Sequence, residues 1–116
     1  MMRMLIALSF LLLGPVGVSA QNGNIRQDGN FYLPFCKQVT NGQLVFIGGV
    51  CMGSVSATAY VARLLPKNMK ACPPDGVTGE QLVRVVVQYM QTNPALLHND
   101  FEMLVLGALR KAWPCP

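Results

Sequence analysis

Val77-Thr78-Gly79-Glu80-Gln81-Leu82-Val83-Arg84-Val85-Val86-Val87-Gln88-Tyr89-Met90, closed by Asn93-Pro94, is the stretch that decides the architecture. Thr78-x-x-Gln81 is a capping box, in which the threonine hydroxyl can accept the backbone N–H of Gln81 while the glutamine side chain reaches back. Val77 and Leu82 occupy the two positions of a hydrophobic staple across that cap. Leu82, Val85, Val86, Tyr89 and Met90 then recur at helical spacing, with Arg84, Gln88 and Gln91 on the opposite face. Three valines in a row favour a strand. The cap and the 3.6-residue period outvote them, and Asn93-Pro94 supplies the stop.

Downstream, Asn99 with Glu102 three residues on reads as a second capping box. Phe101, Leu104, Val105, Ala108, Leu109 and Ala112 form the apolar stripe of the helix it would open. Arg110 and Lys111 fall in the last turn, where cations complement the helix dipole, and that role accounts for them without a binding patch. Two antiparallel helices put the start of the first beside the end of the second. Cys72 precedes one and Cys115 follows the other, so a Cys72–Cys115 bridge would clip the open end of the hairpin. By elimination Cys36 pairs with Cys51. The spacing alone leaves the other two connectivities open.

Upstream lies the awkward part. Gln38 to Ala62 carries no formal charge, and Gly49, Gly53 and Ala57 follow the small-xxx-small spacing of packed membrane helices. Gly48-Gly49 weakens a continuous helix, while Ser54, Ser56 and Thr58 dilute the apolar character. These features argue against a bilayer span and for a central helix of a small bundle, apolar all round, from about Val50 to Leu65 and ended by Pro66. Val39-Thr40-Asn41-Gly42-Gln43-Leu44-Val45 repeats the cap pattern of Val77 to Val83. A helix opening near Asn41 would carry Cys51 about 15 Å along it, away from Cys36. The disulfide is therefore given precedence, and the double glycine is read as a break. Pro34 should break any helix through Phe31 to Cys36, leaving a short turn or an extended piece.

At the very start, Met1-Met2-Arg3-Met4, the apolar run Leu5 to Leu13, Gly14-Pro15 and the small residues of Val18-Ser19-Ala20 form a secretory signal peptide over residues 1–20. Its apolar part is too short to span a membrane. Beyond that cut the chain retains eight basic and five acidic side chains and all four cysteines. An even cysteine count in a small exported chain reads as two disulfides made in an oxidising compartment. The full chain has 116 residues, 52% of them hydrophobic and 12% charged, which leaves room for one domain and argues against disorder. The expected fold is all-α: about four helices stapled by two disulfides.

Chemistry-bearing residues are scarce. The only histidine is His98, and beyond the signal segment the only serines are Ser54 and Ser56, inside the apolar helix. Nothing marks a catalytic triad. Paired cysteines carry no thiolate, no Cys-x-x-Cys pair suggests zinc, and no glycine motif suggests a phosphate. Catalytic, cofactor and metal sites are therefore all expected to be absent. The cations are spread along an exported chain, so nucleic acid is not an expected partner. The protein is expected to work by binding.

Val77-Thr78-x-x-Gln81-Leu82-Val83-x-Val85-Val86-Val87-x-Tyr89-Met90, Asn93-Pro94-x-x-Leu97-His98, and Leu104-Val105-x-x-Ala108-Leu109-x-x-Ala112-Trp113-Pro114-Cys115 together resemble the Tai-type immunity proteins of type VI secretion systems. Cys51-Met52-Gly53-Ser54-Val55 and Cys72-Pro73-Pro74 fit the same family less tightly. The resemblance implies a small periplasmic helical protein, often a homodimer, that binds a peptidoglycan-cleaving amidase toxin and occludes its active site. The likeness covers about residues 36–115, so the chain divides into the signal peptide (1–20), a polar lead-in with a short first element (21–35) and a helical immunity-type domain (36–116). The loop residues Asn93, Pro94, Leu97, His98 and Asn99 are the expected partner contacts, because the loop Asn93 to Asn99 should be exposed, carries polar groups and leaves a rigid hairpin. Competing classes are a periplasmic stress chaperone, a helical binding module for some other partner, and a small hydrolase. Five carboxylates and one histidine make a weak acid trigger for the chaperone, and the thin polar inventory speaks against the hydrolase.

Overall fold

The computed structural model describes residues 27–43 and 46–116. The signal-peptide expectation for residues 1–20, and the lead-in as far as residue 26, lie outside the described residues. Four α-helices carry the fold: α1 (Gly29–Thr40), α2 (Phe46–Ala62), α3 (Gly79–Thr92) and α4 (Phe101–Ala112), with a 3-10 turn at Pro94–Leu96. The all-α bundle of four helices is thus as expected. So is the pairing of its cysteines, Cys36 with Cys51 and Cys72 with Cys115.

α3 forms where its cap and period place it. Thr78 Oγ1 accepts the Gln81 N–H at 3.1 Å, and Val77 packs on the core beside buried Leu82. Its buried face is Leu82, Val83, Val86, Val87 and Met90, rotated slightly from the expected stripe. The cause is that α3 packs against α1, α2 and α4 together, so Val83 and Val87 are covered while Val85 and Tyr89 sit at the margin. On the solvent side Arg84 pairs with Glu80 at 2.6 Å. An exposed pair of this kind contributes about 0.3–0.5 kcal/mol.

α4 departs from its expected start. Asp100, not Asn99, is the cap residue, and no side chain caps the helix. The chain solves the problem of the free N–H groups with backbone instead: Phe101 N–H donates to the Gln27 carbonyl at 2.7 Å, beside a bridge between Asp28 and Asp100. At the other end Ala112 is exposed, and Leu106 is buried in its place.

Pro34 does not break α1. Pro34 and Asn30 are both exposed, so the Asn30 carbonyl that loses its helical donor faces water, which can replace it. Gly29, Tyr32, Cys36 and Val39 recur at helical spacing and bury one face, and Tyr32 stacks on Phe101 with ring centroids 4.3 Å apart. A Cβ on Gly29 would run into Leu104 and Leu97, so the start of α1 lies closer to α4 than any larger residue would allow.

Within the repeated cap pattern, the described residues 39–43 prove to be a helix end. Gly42 has φ +75°; its N–H donates to the Val39 carbonyl at 3.1 Å, and Gln43 N–H donates to the Gln38 carbonyl at 3.0 Å. These two bonds around a left-handed glycine are the Schellman motif. The chain turns there and α2 comes back against α1. Cys36 and Cys51 lie four and five residues from the helix ends that the turn joins, with Cα atoms 5.6 Å apart. The conflict between cap and disulfide disappears. The double glycine is no break either: α2 runs through Gly48 and Gly49, starting four residues before Val50 and ending at Ala62. Each glycine costs a helix about 0.5–1 kcal/mol, and the burial of Cys51, Val55, Ala59 and Ala62 outweighs that locally.

Candidate interaction surfaces

The loop between α3 and α4 owes its shape to both neighbours. Asn93 Nδ2 donates to the Tyr89 carbonyl at 2.8 Å and closes the end of α3. Pro94 opens the 3-10 turn, where a missing N–H is harmless. The carbonyls of Leu97 and Asn99 then accept the N–H groups of Asn30 and Gly29 at 3.0 and 3.2 Å, so this loop caps the first turn of α1. Asp28 Oδ1 takes the next one, Phe31 N–H, at 2.9 Å.

The expected contact residues therefore divide into two groups. Asn93, Leu97 and Asn99 are half-buried and hold the loop in place, while Pro94, Ala95 and His98 face solvent. The result is a short exposed tip on a rigid base. Among the potentially reactive side chains, Ser54 and Ser56 are half-buried on α2 and His98 stands in this loop. Among the described residues no group of three or more His, Cys, Asp or Glu could hold a metal ion.

A second surface lies on α2, and no sequence expectation marked it as a contact face. Phe46, Gly49, Val50, Gly53, Ala57, Tyr60, Val61 and Leu64 are all exposed, with Phe46 87%, Tyr60 71% and Leu64 74% accessible. Small residues at this spacing would let neighbouring helices of the bundle approach closely. They face the other way: nothing lies within 4 Å of where a Cβ on Gly49 or Gly53 would stand. Met103 of α4 extends the face across a shallow groove of about 300 Å³ lined by Ala57, Thr58, Val61, Leu65 and Leu106, with Glu102 at its α4 side. The available signal was the uncharged run itself, which is longer than one buried helix face requires. Among the described residues, no helix is long and apolar enough to cross a membrane.

An exposed loop tip and an exposed apolar helix face thus stand on a doubly stapled scaffold. No curated protein and no solved structure matches the chain. The family model of the Rap1a immunity proteins does match it, over residues 28–115 from the Asp28 cap to the last cysteine, and the chain belongs to that immunity protein family.

Proposed function

We propose that the protein is a periplasmic, Tai-type immunity protein that neutralises a type VI secreted peptidoglycan amidase by covering its active site. It performs no reaction of its own. The observation that carries this reading is the family match over residues 28–115; two disulfides suit an oxidising envelope compartment. The α3–α4 loop is the toxin contact, with Pro94 and His98 at its exposed tip and Asn93, Leu97 and Asn99 fixing its shape. Such preorganisation lowers the ordering cost of binding. A pull-down with the toxin encoded beside this gene, together with an amidase assay, tests the proposal. Saturable inhibition is expected; no binding at micromolar concentrations overturns it.

A second copy of the chain is the occupant of the α2 face. Phe46, Val50, Tyr60, Val61, Leu64 and Met103 at their observed exposures offer on the order of 700 Å², close to the roughly 800 Å² per partner of a stable interface. The α2 residues of this face are uncharged, and Glu102 of α4 stands at the groove beside them. The face is also nearly symmetric about Gly53: Phe46 stands seven residues before and Tyr60 seven after, Gly49 four before and Ala57 four after. A two-fold axis at Gly53 sets the Phe46 of each copy against the Tyr60 of the other, as an isologous contact requires. Sedimentation of the mature protein at tens of micromolar should give a dimer, and a monomer there overturns this assignment.

A further inference from the structure

The two disulfides differ in their surroundings. Cys36 and Cys51 are fully buried, both at 0% accessibility. Cys72 and Cys115 are half-exposed, where 71–72 and 113–114 pair through one bridge, Ala71 to Pro114, and one hydrogen bond from Cys72 N–H to the Trp113 carbonyl at 2.9 Å. Cys115 lies between two exposed prolines.

Cations flank this clasp in sequence. Lys70 lies two residues before Cys72, Arg110 and Lys111 occupy the turn of α4 that leads to Cys115, and the Ala71–Pro114 bridge brings the two segments together. Arg63 Nη2 donates to the Pro73 carbonyl at 2.7 Å, next to Cys72. The acid nearest in sequence to either sulfur is Asp75, whose carboxylate meets Arg63 Nη1 at 3.5 Å. Positive surroundings and partial exposure stabilise a departing thiolate and admit an attacking one, whereas a buried pair does neither.

We propose that Cys72–Cys115 is a thiol–disulfide exchange site for small thiols and dithiols, and that Cys36–Cys51 is an inert structural bridge. An incoming thiolate attacks Cys115 Sγ, the bond to Cys72 Sγ breaks, and Cys72 leaves as a thiolate that takes its proton from water. The product is a mixed disulfide on Cys115. A dithiol completes the exchange with its second sulfur, displacing Cys115 as a thiolate and departing as the oxidised cyclic disulfide. Residues 113–116 then keep the Trp113 packing and the backbone bonds, while the buried bridge still joins α1 to α2.

The test uses the oxidised mature protein, exposed to dithiothreitol, quenched with iodoacetamide at intervals and mapped by peptide mass. Cys72 and Cys115 should be alkylated at least about tenfold faster than Cys36 and Cys51, and reduced glutathione should leave an adduct on Cys115. A K70Q/R110Q/K111Q variant should exchange about threefold more slowly. Equal rates at the two bridges, earlier opening of Cys36–Cys51, or an unchanged rate in the triple variant overturns the proposal. The readout is sulfur chemistry alone, so its failure is distinct from any failure of the inhibitor reading.

Discussion

α2 and α3 are neighbours of similar length with opposite relations to solvent. α3 buries Leu82, Val83, Val86, Val87 and Met90 and turns Arg84, Gln88 and Gln91 to water. α2 buries Cys51, Val55, Ala59 and Ala62 on one side and turns Phe46, Val50, Tyr60 and Val61 to water on the other. An apolar residue on α3 thus reports a contact within the chain, while one on α2 can report a contact the chain has yet to make. Hydrophobicity alone does not distinguish folding from binding. The difference lies in what the opposite face carries.

The sharpest break in that comparison comes from placing one carboxylate on each helix. Val86 is completely buried on α3, and Val86→Asp would strand an unpaired charge in the core at a cost of about 4 kcal/mol or more. Val61 is 49% exposed on α2, so Val61→Asp should change the stability of a single chain by no more than about 0.5 kcal/mol. Urea denaturation followed by circular dichroism reads both. Sedimentation should show the second variant folded and monomeric. A folded V86D, or a destabilised V61D at concentrations where the chain is monomeric, would undo the distinction between the helices.

Truncation gives the next largest effect. Leu109→Ala empties a fully buried position in α4 and should cost about 2–5 kcal/mol. Leu64→Ala, just beyond α2 and 74% exposed, should change single-chain stability by no more than about 0.5 kcal/mol. The same leucine-to-alanine chemistry then differs only through its surroundings. Thermal melts at low protein concentration measure the gap, and equal losses would mean that the face around α2 is covered within one chain.

How much of this was legible depends on whether the deciding contact is local. Thr78-Gly79-Glu80-Gln81 and Thr40-Asn41-Gly42-Gln43 share the Thr-x-x-Gln pattern, yet one opens a helix and the other closes one. The position of glycine separates them. At Gly42 it supplies the positive φ a Schellman turn needs, whereas Gly79 is simply the first residue of α3. Pro34 was misread because its effect depends on which face the orphaned carbonyl meets, and only the folded bundle decides that. For the α3–α4 loop, Asn93-Pro94 announced the turn. The capping of α1 by the Leu97 and Asn99 carbonyls joins segments too far apart in sequence for any local pattern to reveal. The face of α2 was hidden for another reason: a helix apolar all round has no period to say which side is inside.

Those two threonines give a smaller test of the same point. Thr78 Oγ1 accepts the Gln81 N–H, so Thr78→Ala should cost about 1 kcal/mol. Thr40 Oγ1 donates to the Lys37 carbonyl at 2.7 Å in the last turn of α1, where the backbone already closes the helix. Thr40→Ala should therefore cost only about 0.3 kcal/mol, within the usual range of surface changes. Equal losses in denaturant midpoint would restore the reading of residues 39–45 as a helix start.

Gly53→Ala changes two quantities at once, and the two roles of α2 give its effects opposite signs. A glycine inside a helix costs about 0.5–1 kcal/mol relative to alanine, and Gly53 has no atom of its own chain near the missing Cβ. In the monomer, alanine should therefore raise the thermal midpoint by about 3–6 °C. In a dimer whose two-fold axis passes Gly53, each new methyl group would meet the partner helix and hold the two backbones apart. Self-association should weaken by about tenfold, equivalent to about 1.4 kcal/mol. Melting at low concentration and sedimentation at high concentration separate the two effects. A higher midpoint with unchanged association would move the contact away from Gly53, and an unchanged midpoint would mean that glycine is no burden to α2. Both changes together would identify Gly53 as a residue that weakens its own helix and strengthens the join between two.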